Sequence, residues 1–357
     1  MNKIIILRPA LKQSRGGVGN YYNTVEKLTH RIDFFRVGKR KSSTKNPLIK
    51  LQSIFYSITD YIRFFFVVPY YDLIVVNPSM TKRCLYRDSL YIWIAKLFRK
   101  KVVVFWRGFN HLYFNNVVKH KYKRLLGNTF FRADHTIVLG KNIHETLHTI
   151  GCNTPYSITT TILTSDLLLH SPKQFNSGKF TILFLARLEK YKGIMEALDC
   201  YKMVKRRYPF VDILIAGSGK ALSDVQIRIT EENIPDVKLL GYVSGETRYN
   251  TYRDADMYLF PSYSEGMPNS VLEAMGMGLP VITSKVGGLV DFFENGKMGY
   301  MIDDWNPEKY AKAISLLIDN NCLEKISEYN RNYAKQHFLD HIVISKLENC
   351  LISVCNG

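Results

Sequence analysis

Acidic side chains are scarce at one end of this sequence. Through Ser165 there are seven Asp and Glu against 27 Lys and Arg, a local balance of +20, whereas the remainder of the 357 residues carries −2. Such a one-sided field attracts anions, so a phospholipid surface, a lipid phosphate, an acidic glycan or nucleic acid is expected to meet the first half; solubility charge is the plainer alternative. The six cysteines (Cys84, Cys152, Cys200, Cys322, Cys350 and Cys355) include no Cys-x-x-Cys pair. That rules against a disulfide scaffold or a thiolate zinc site, and reduced, mostly buried thiols in the cytosol are expected. Long apolar runs are missing too. Ile4 to Leu7 is closed by Arg8 and is too short for a signal peptide. Phe64 to Val76 contains Pro69 and Asp72 and falls short of the roughly 20 residues that span a bilayer, so no transmembrane helix is expected. No tract is Pro-, Gly- or Gln-rich, and 46% hydrophobic with 22% charged residues describes a globular chain long enough for two domains.

What is present is an alternation of apolar runs with helical patterns, the mark of parallel sheets covered by helices. Strand candidates are Ile4–Leu7, Leu73–Val76, Val102–Phe105 and Thr136–Leu139 in the first half. In the second they are Phe180–Leu185, Asp212–Ala216, Val237–Leu240, Met257–Phe260 and Val281–Thr283, with helices such as Ile194–Arg207 between them. The fold class is α/β, two Rossmann-like doubly wound domains: 1–170, 171–335, and a C-terminal helix at 336–357 returning to the first domain. Ser171, Pro172, Asn176, Ser177 and Gly178 punctuate the boundary. Ligands bind at the carboxyl ends of strands in such sheets, so a cleft between the domains is the expected site.

The stretch richest in chemistry runs from Pro261 to Pro280 and includes Ser264-Glu265-Gly266-Met267-Pro268-Asn269-Ser270-Val271-Leu272-Glu273. It follows a predicted strand and reads as a loop entering a short helix capped by Asn269 or Ser270. A helix start aims backbone N–H groups and a positive dipole end at the loop's mouth, which suits a phosphate, and two carboxylates nearby suit sugar hydroxyls. A second stretch, Arg187-Leu188-Glu189-Lys190-Tyr191-Lys192-Gly193, lies between a strand and a helix. Alone, each reads equally as an ordinary strand-loop-helix connection with solvated charges.

Together these residues resemble a known family. Glu265-x7-Glu273 within Pro-Ser-x-x-Glu-Gly-x-Pro, then Leu-Glu-Ala-Met, Gly278-x-Pro280-Val281 and Gly287-Gly288, is similar to the retaining glycosyltransferases of family 4, which have the GT-B fold. The resemblance implies that Glu265 contacts the donor sugar, Glu273 the ribose, and Arg187 with Lys192 the diphosphate. It further implies that Gly217 and Gly219 border the nucleotide and that Gly241-Tyr242 packs on the base, with Asn269, Ser270 and Val271 at the donor end of the helix. Fixed cations stabilise a departing nucleoside diphosphate more than its ground state, so no metal is expected. The donor would be UDP- or GDP-linked.

In the first half, Arg15-Gly16-Gly17-Val18-Gly19-Asn20 matches the family's Gly-Gly-x-Gly loop, which approaches a phosphate or the acceptor. The spacing is not that of a nicotinamide fingerprint. The sequence departs from the family at Trp106-Arg107-Gly108-Phe109-Asn110-His111: Arg107 stands where many members place a histidine. A permanent guanidinium cannot exchange protons near neutrality, so Arg107 is assigned binding of a phosphate or carboxylate, and His111 a place beside it.

The reading is a retaining glycosyltransferase that moves a sugar from a nucleotide donor to a glycan or polyprenyl-diphosphate-linked oligosaccharide, in bacterial surface polysaccharide (capsule, exopolysaccharide or O-antigen) biosynthesis. It would be cytoplasmic and peripheral on the inner face of the plasma membrane, touching anionic lipid and no nucleic acid. A nucleotide-sugar epimerase or hydrolase of the same fold is the competing enzyme. Two other classes have sequence features in their favour. His144-Glu145-Thr146-Leu147-His148 matches a zinc-protease core, although Thr154 stands where a third ligand belongs. The basic half suggests a nucleic-acid binder, without any recognised reading motif. Asp254-Ala255-Asp256 is taken as structural, and the apolar helix around Tyr56 to Tyr71 as core packing, the alternative being an interfacial helix of Ile58, Tyr61, Ile62, Phe65 and Phe66 with Arg63.

Overall fold

The computed structural model describes residues 2–10, 17–38, 47–169, 173–175 and 178–357. It consists of two compact units, Met1–Ile162 with Asp340–Gly357, and Leu163–Leu339. The division lies before the expected 170/171 boundary because Leu163 and the turn Ser165–Leu169 pack into the second core. Leu163 N donates to Phe338 O at 2.8 Å, and buried Leu167 joins Leu272 and Met275. The helix Leu323–His337 stays in the second unit, so the returning segment starts at 340 rather than 336. Within the first unit, the helix Asp340–Asn356 is held by Lys101 Nζ, which donates to the carbonyls of Val354 and Cys355 at 3.1 and 3.0 Å. The Thr29 hydroxyl also bonds Glu348.

In the first unit, strands β1 (Ile4–Pro9), β2 (Ile32–Val37), β3 (Leu73–Val76), β4 (Lys101–Phe105), β5 (His135–Val138) and β6 (Tyr156–Ile158) form one sheet in the order β2-β1-β3-β4-β5-β6. In the second, β7 (Phe180–Leu185), β8 (Val211–Ala216), β9 (Val237–Gly241), β10 (Met257–Phe260), β11 (Val281–Ser284) and β12 (Gly299–Ile302) take the order β12-β11-β10-β7-β8-β9. Every pairing is parallel. Central strands such as Leu73-Ile74-Val75-Val76 are apolar throughout because helices cover both faces. The second sheet reverses its strand order between β7 and β10, where doubly wound sheets bind ligands.

The helix Pro47–Val67 departs from the core-packing expectation. Asp60 and Phe64, with Val68 just beyond its end, make a buried stripe, and the Phe64 ring lies 5.4 Å from that of Phe35 and 5.0 Å from that of Tyr91. A helix on a sheet buries one such stripe, and this one is apolar on its other side as well. Ile58, Ile62 and Phe66 are 53%, 54% and 67% exposed. The neighbouring helix Lys82–Leu97 likewise turns Tyr86, Leu90, Trp93 and Leu97 outward. Among the described residues, no helix is long and apolar enough to cross a membrane. All six cysteines are free, but only Cys152 and Cys200 are buried. The other four lie in or at the ends of helices covered on one side only, fewer buried than expected.

Candidate functional site

Because β7 and β10 are neighbours, the loops that leave their carboxyl ends open side by side. The first holds Arg187 and Lys192, the second Glu265. Lys192 Nζ is ion-paired to Glu265 Oε1, each side chain 12% exposed, and the Ser262 hydroxyl donates to the same oxygen at 3.0 Å. Two close approaches of backbone fix this geometry. A Cβ on Gly193, whose φ is +77°, would lie 2.0 Å from Pro261 O, and one on Gly287 would lie 2.2 Å from Gly266 O. The Gly287-Gly288 pair thus clamps the Glu265 loop, and Gly288 N donates to Gly266 O at 2.7 Å. Arg187 stands at the open side. Its Nη2 donates to the Tyr191 hydroxyl at 2.8 Å, and it makes no ion pair among the described residues.

The helix Asn269–Gly276 begins differently from the expected capping. Pro268 is the N-cap, at φ −77° and ψ 109°, with no side-chain cap, so Asn269 and Ser270 are the first residues inside the helix. Proline presets the entry angle but brings no polar side chain to the orphan N–H groups. Val271 N donates to Pro268 O at 3.1 Å, and its side chain is fully buried. The N–H groups this end can offer an anion are therefore those of Asn269 and Ser270.

Glu273, one turn on, lies between two side chains that the sequence did not single out. Arg248 Nη1 lies 3.1 Å from its Oε1, and the Tyr252 hydroxyl donates to Oε2 at 3.0 Å. Burial pushes the Glu273 carboxyl up, and Arg248 and Tyr252 pull it down. The signal for Arg248 was weak: it is one of several charges on the polar helix Gly245–Arg253.

The glycines after β8 serve their own neighbours. A Cβ on Gly217 would lie 1.8 Å from Ala186 O and one on Gly219 2.2 Å from Leu188 O, so both are needed where this loop packs on the one carrying Arg187. Gly241, at φ +66°, accepts from Gly217 N at 2.7 Å, and Tyr242 beside it is 57% exposed.

The remaining candidates belong to the first unit. Gly16 lies outside the described residues; Gly17 opens the helix Gly17–Leu28, and Gly19 is buried in it. Arg107 is buried against Tyr21, its guanidinium carbon 3.6 Å from the ring centroid. The His111 ring lies 4.7 Å from that of Phe109, and burial lowers its pKa.

The decoys resolve locally. His144 stacks on Tyr156 at 3.6 Å, with the His148 ring 6.3 Å away. Asp256 Oδ2 accepts from Thr181 N at 2.7 Å, and Oδ1 pairs with Lys173 at 3.1 Å. Among the described residues, no group of three His, Cys, Asp or Glu side chains is placed to hold a metal ion.

Residues 168–337 match the model of the family described as Glycosyl transferases group 1. The matched residues fall almost wholly in the second unit. A capsular polysaccharide biosynthesis glycosyltransferase, CapM of Staphylococcus aureus, is 28% identical over 177 residues, 48% of this chain and 46% of that protein. D-inositol 3-phosphate glycosyltransferase of Mycolicibacterium smegmatis is 32% identical over 173 residues, 46% of this chain and 39% of that protein. The chain spans about half the length or less of these curated relatives. Anabaena HepE, solved with UDP and glucose, superposes with a TM-score of 0.75 at 18% identity, covering 99% of this chain and all of that one. Sucrose-phosphate synthase of Thermosynechococcus elongatus superposes at 0.74 and 15%, covering 99% of each. The fold is therefore GT-B, two Rossmann-like α/β units.

Proposed function

We propose that this chain transfers a sugar from a UDP- or GDP-linked donor to a glycan or polyprenyl-diphosphate-linked oligosaccharide, with retention, in the making of a bacterial surface polysaccharide. One observation carries the reading: the group 1 match falls on the unit whose strand-order reversal gathers Arg187, Lys192, Glu265 and the uncapped Asn269–Gly276 helix start. Two cations and two backbone N–H groups on the loops that leave β7 and β10 suit a diphosphate, which gains charge as the glycosidic bond breaks. Arg187 and Lys192 stabilise that leaving group without a metal. Glu265 contacts the donor sugar when the diphosphate draws Lys192 away, and Glu273, already fixed by Arg248 and Tyr252, takes the ribose. Gly217, Gly219, Gly241 and Tyr242 border the nucleotide.

The first unit takes the acceptor, and its outward apolar face rests on an anionic membrane. Ile58, Ile62 and Phe66 with Trp93 form an exposed patch in a half of the chain that carries +20, and Arg63, Lys82 and Arg83 are exposed on the same two helices. Apolar insertion and charge attraction combine in this way at the surfaces of peripheral proteins.

The test is transfer of radiolabelled sugar from a panel of UDP- and GDP-sugars to membrane-extracted polyprenyl-linked glycans in the presence of a chelator. A transferase releases nucleotide only when acceptor is present. Acceptor-independent release or epimerised donor would make the chain a hydrolase or epimerase instead.

A further inference from the structure

The first unit buries a cation that no acid among the described residues answers. Arg107 is 6% exposed, and its Nε and Nη1 are buried without a hydrogen-bond partner among the described residues. Its guanidinium carbon lies 3.6 Å from the centroid of the Tyr21 ring and 4.8 Å from that of Phe105. Neither ring supplies charge. Burial raises the pKa of the Tyr21 phenol, which stays neutral, and a π face returns only part of the desolvation cost. Arg107 forms no ion pair among the described residues, and the residues outside the described set contain no Asp or Glu.

Arg8 in the same unit shows the ordinary treatment. It is 1% exposed, and it is met by the Glu26 carboxylate and by Asn23 Oδ1 at 2.7 Å. Arg107 is nearly as buried and, among the described residues, lacks the acid.

The backbone around Arg107 is pinned on both sides. Trp106 N donates to Ile137 O at 2.9 Å, Arg107 N to Pro78 O at 3.3 Å, and Met80 N to Gly108 O at 2.7 Å. A Cβ on Gly108 would lie 2.9 Å from Ser79 Oγ, so the loop is seated against its neighbour. A buried guanidinium with unmet donors is unfavourable unless an acceptor of opposite charge completes it.

We propose that Arg107 anchors an oxyanion site in the first unit, taking a carboxylate or phosphate that a substrate carries. A guanidinium matches such groups with paired charge-assisted hydrogen bonds, whereas a neutral hydroxyl leaves the charge unanswered. The site stands on these contacts alone; only the identity of the carrier rests on the proposed transferase reading. Two carriers share the chemistry: an acidic sugar on the nucleotide donor, or a phosphate on the acceptor.

The experiment is thermal unfolding of the full chain at fixed ionic strength, with inorganic phosphate exchanged for chloride. It compares the native protein with Arg107→Met, Arg107→Lys and Arg187→Ala. Without phosphate, Arg107→Met is expected to melt at or above the native temperature, because it removes an uncompensated buried charge. Phosphate should raise the melting temperature of the native protein clearly more than that of Arg107→Met, with Arg107→Lys between them, and Arg187→Ala should keep the part of the shift that depends on Arg107. A nucleoside diphosphouronate, a neutral nucleotide sugar and glycerol phosphate are then compared. An Arg107-dependent shift with the uronate places the anion on the donor, and one with glycerol phosphate places it on the acceptor. The proposal requires that shift with phosphate and with one of these two carriers, and the lack of either overturns it. A phosphate response kept in full in Arg107→Met but lost in Arg187→Ala also overturns it, while leaving the transferase reading intact.

Discussion

Lys192 and Glu265, 73 residues apart, are ion-paired across the loops that follow β7 and β10, with the Ser262 hydroxyl donating to the same carboxylate oxygen. On the proposed function, an incoming diphosphate would meet a lysine already answered by a carboxylate and would have to compete for it. Removing either partner leaves the other largely buried without its countercharge. Lys192→Met or Glu265→Gln should each cost about 3 kcal/mol of stability, and the double variant clearly less than their sum. Urea unfolding of the four proteins reads this directly, and strict additivity would mean that the pair does not form in solution.

Arg187 has the opposite character, since among the described residues only the Tyr191 hydroxyl is bonded to it. Arg187→Ala should leave stability within about 0.5 kcal/mol and lower turnover about a hundredfold, a loss on the order of 3 kcal/mol in the transition state. Steady-state kinetics with saturating acceptor measures it, and unchanged turnover would take Arg187 out of its role.

Gly217 separates packing from binding. A methyl group there would sit 1.8 Å from Ala186 O in a residue at φ +142°, so Gly217→Ala should destabilise the second unit by on the order of 3 kcal/mol. Calorimetry of the full chain tests this. An unaffected melting profile would show that the two loops are not in contact.

Much of this arrangement was legible in the sequence, for physical reasons. Strands buried on both faces are apolar throughout, and the run Phe180 to Leu185 and the helix Ile194 to Arg207 lie where expected. The strands that went unseen, β2, β6 and β12, are all sheet edges. In β2, exposed Asp33 and Arg36 interrupt the run; β6 is three residues long and half solvated. The loops around Glu265 and Arg187 were found because their residue types and order match a family. Arg248 was not, because a lone arginine on a polar helix gives no local sign that Glu273 lies 3.1 Å away. The outward face of Pro47–Val67 was misjudged because apolarity alone does not tell which side of a helix meets the sheet.

Burial of histidine contributes to the loss of first-unit stability in acid. Burial lowers the pKa of both His111 and His135 below 6.5, so the unfolded chain takes up their protons first. Stability is then fully present above pH 6.5 and is lost as pH falls below it through the lowered folded values. His135→Gln, which keeps a partner for Ser157 at 2.9 Å in the native protein, should flatten the fall in urea midpoint between about pH 7 and pH 5. An identical slope would remove His135 from the account.

The exposed apolar face makes a prediction about lipid. Phe66→Ser with Trp93→Ser should weaken co-sedimentation with vesicles rich in anionic lipid about tenfold, while binding of the native protein falls steeply with salt. Equal binding by the double variant would return membrane contact to charge alone.

The central claim is that the second unit holds a nucleotide sugar by its diphosphate through Arg187 and Lys192 without help from an ion. Isothermal titration of UDP- and GDP-sugars into the full chain, in chelator, measures it most directly. The account predicts saturable binding of at least one donor to the native protein and a loss of tenfold or more in Arg187→Ala and Lys192→Met, an energy of about 1.4 kcal/mol each. Undiminished affinity in both variants, or binding only after a divalent cation is restored, would contradict it.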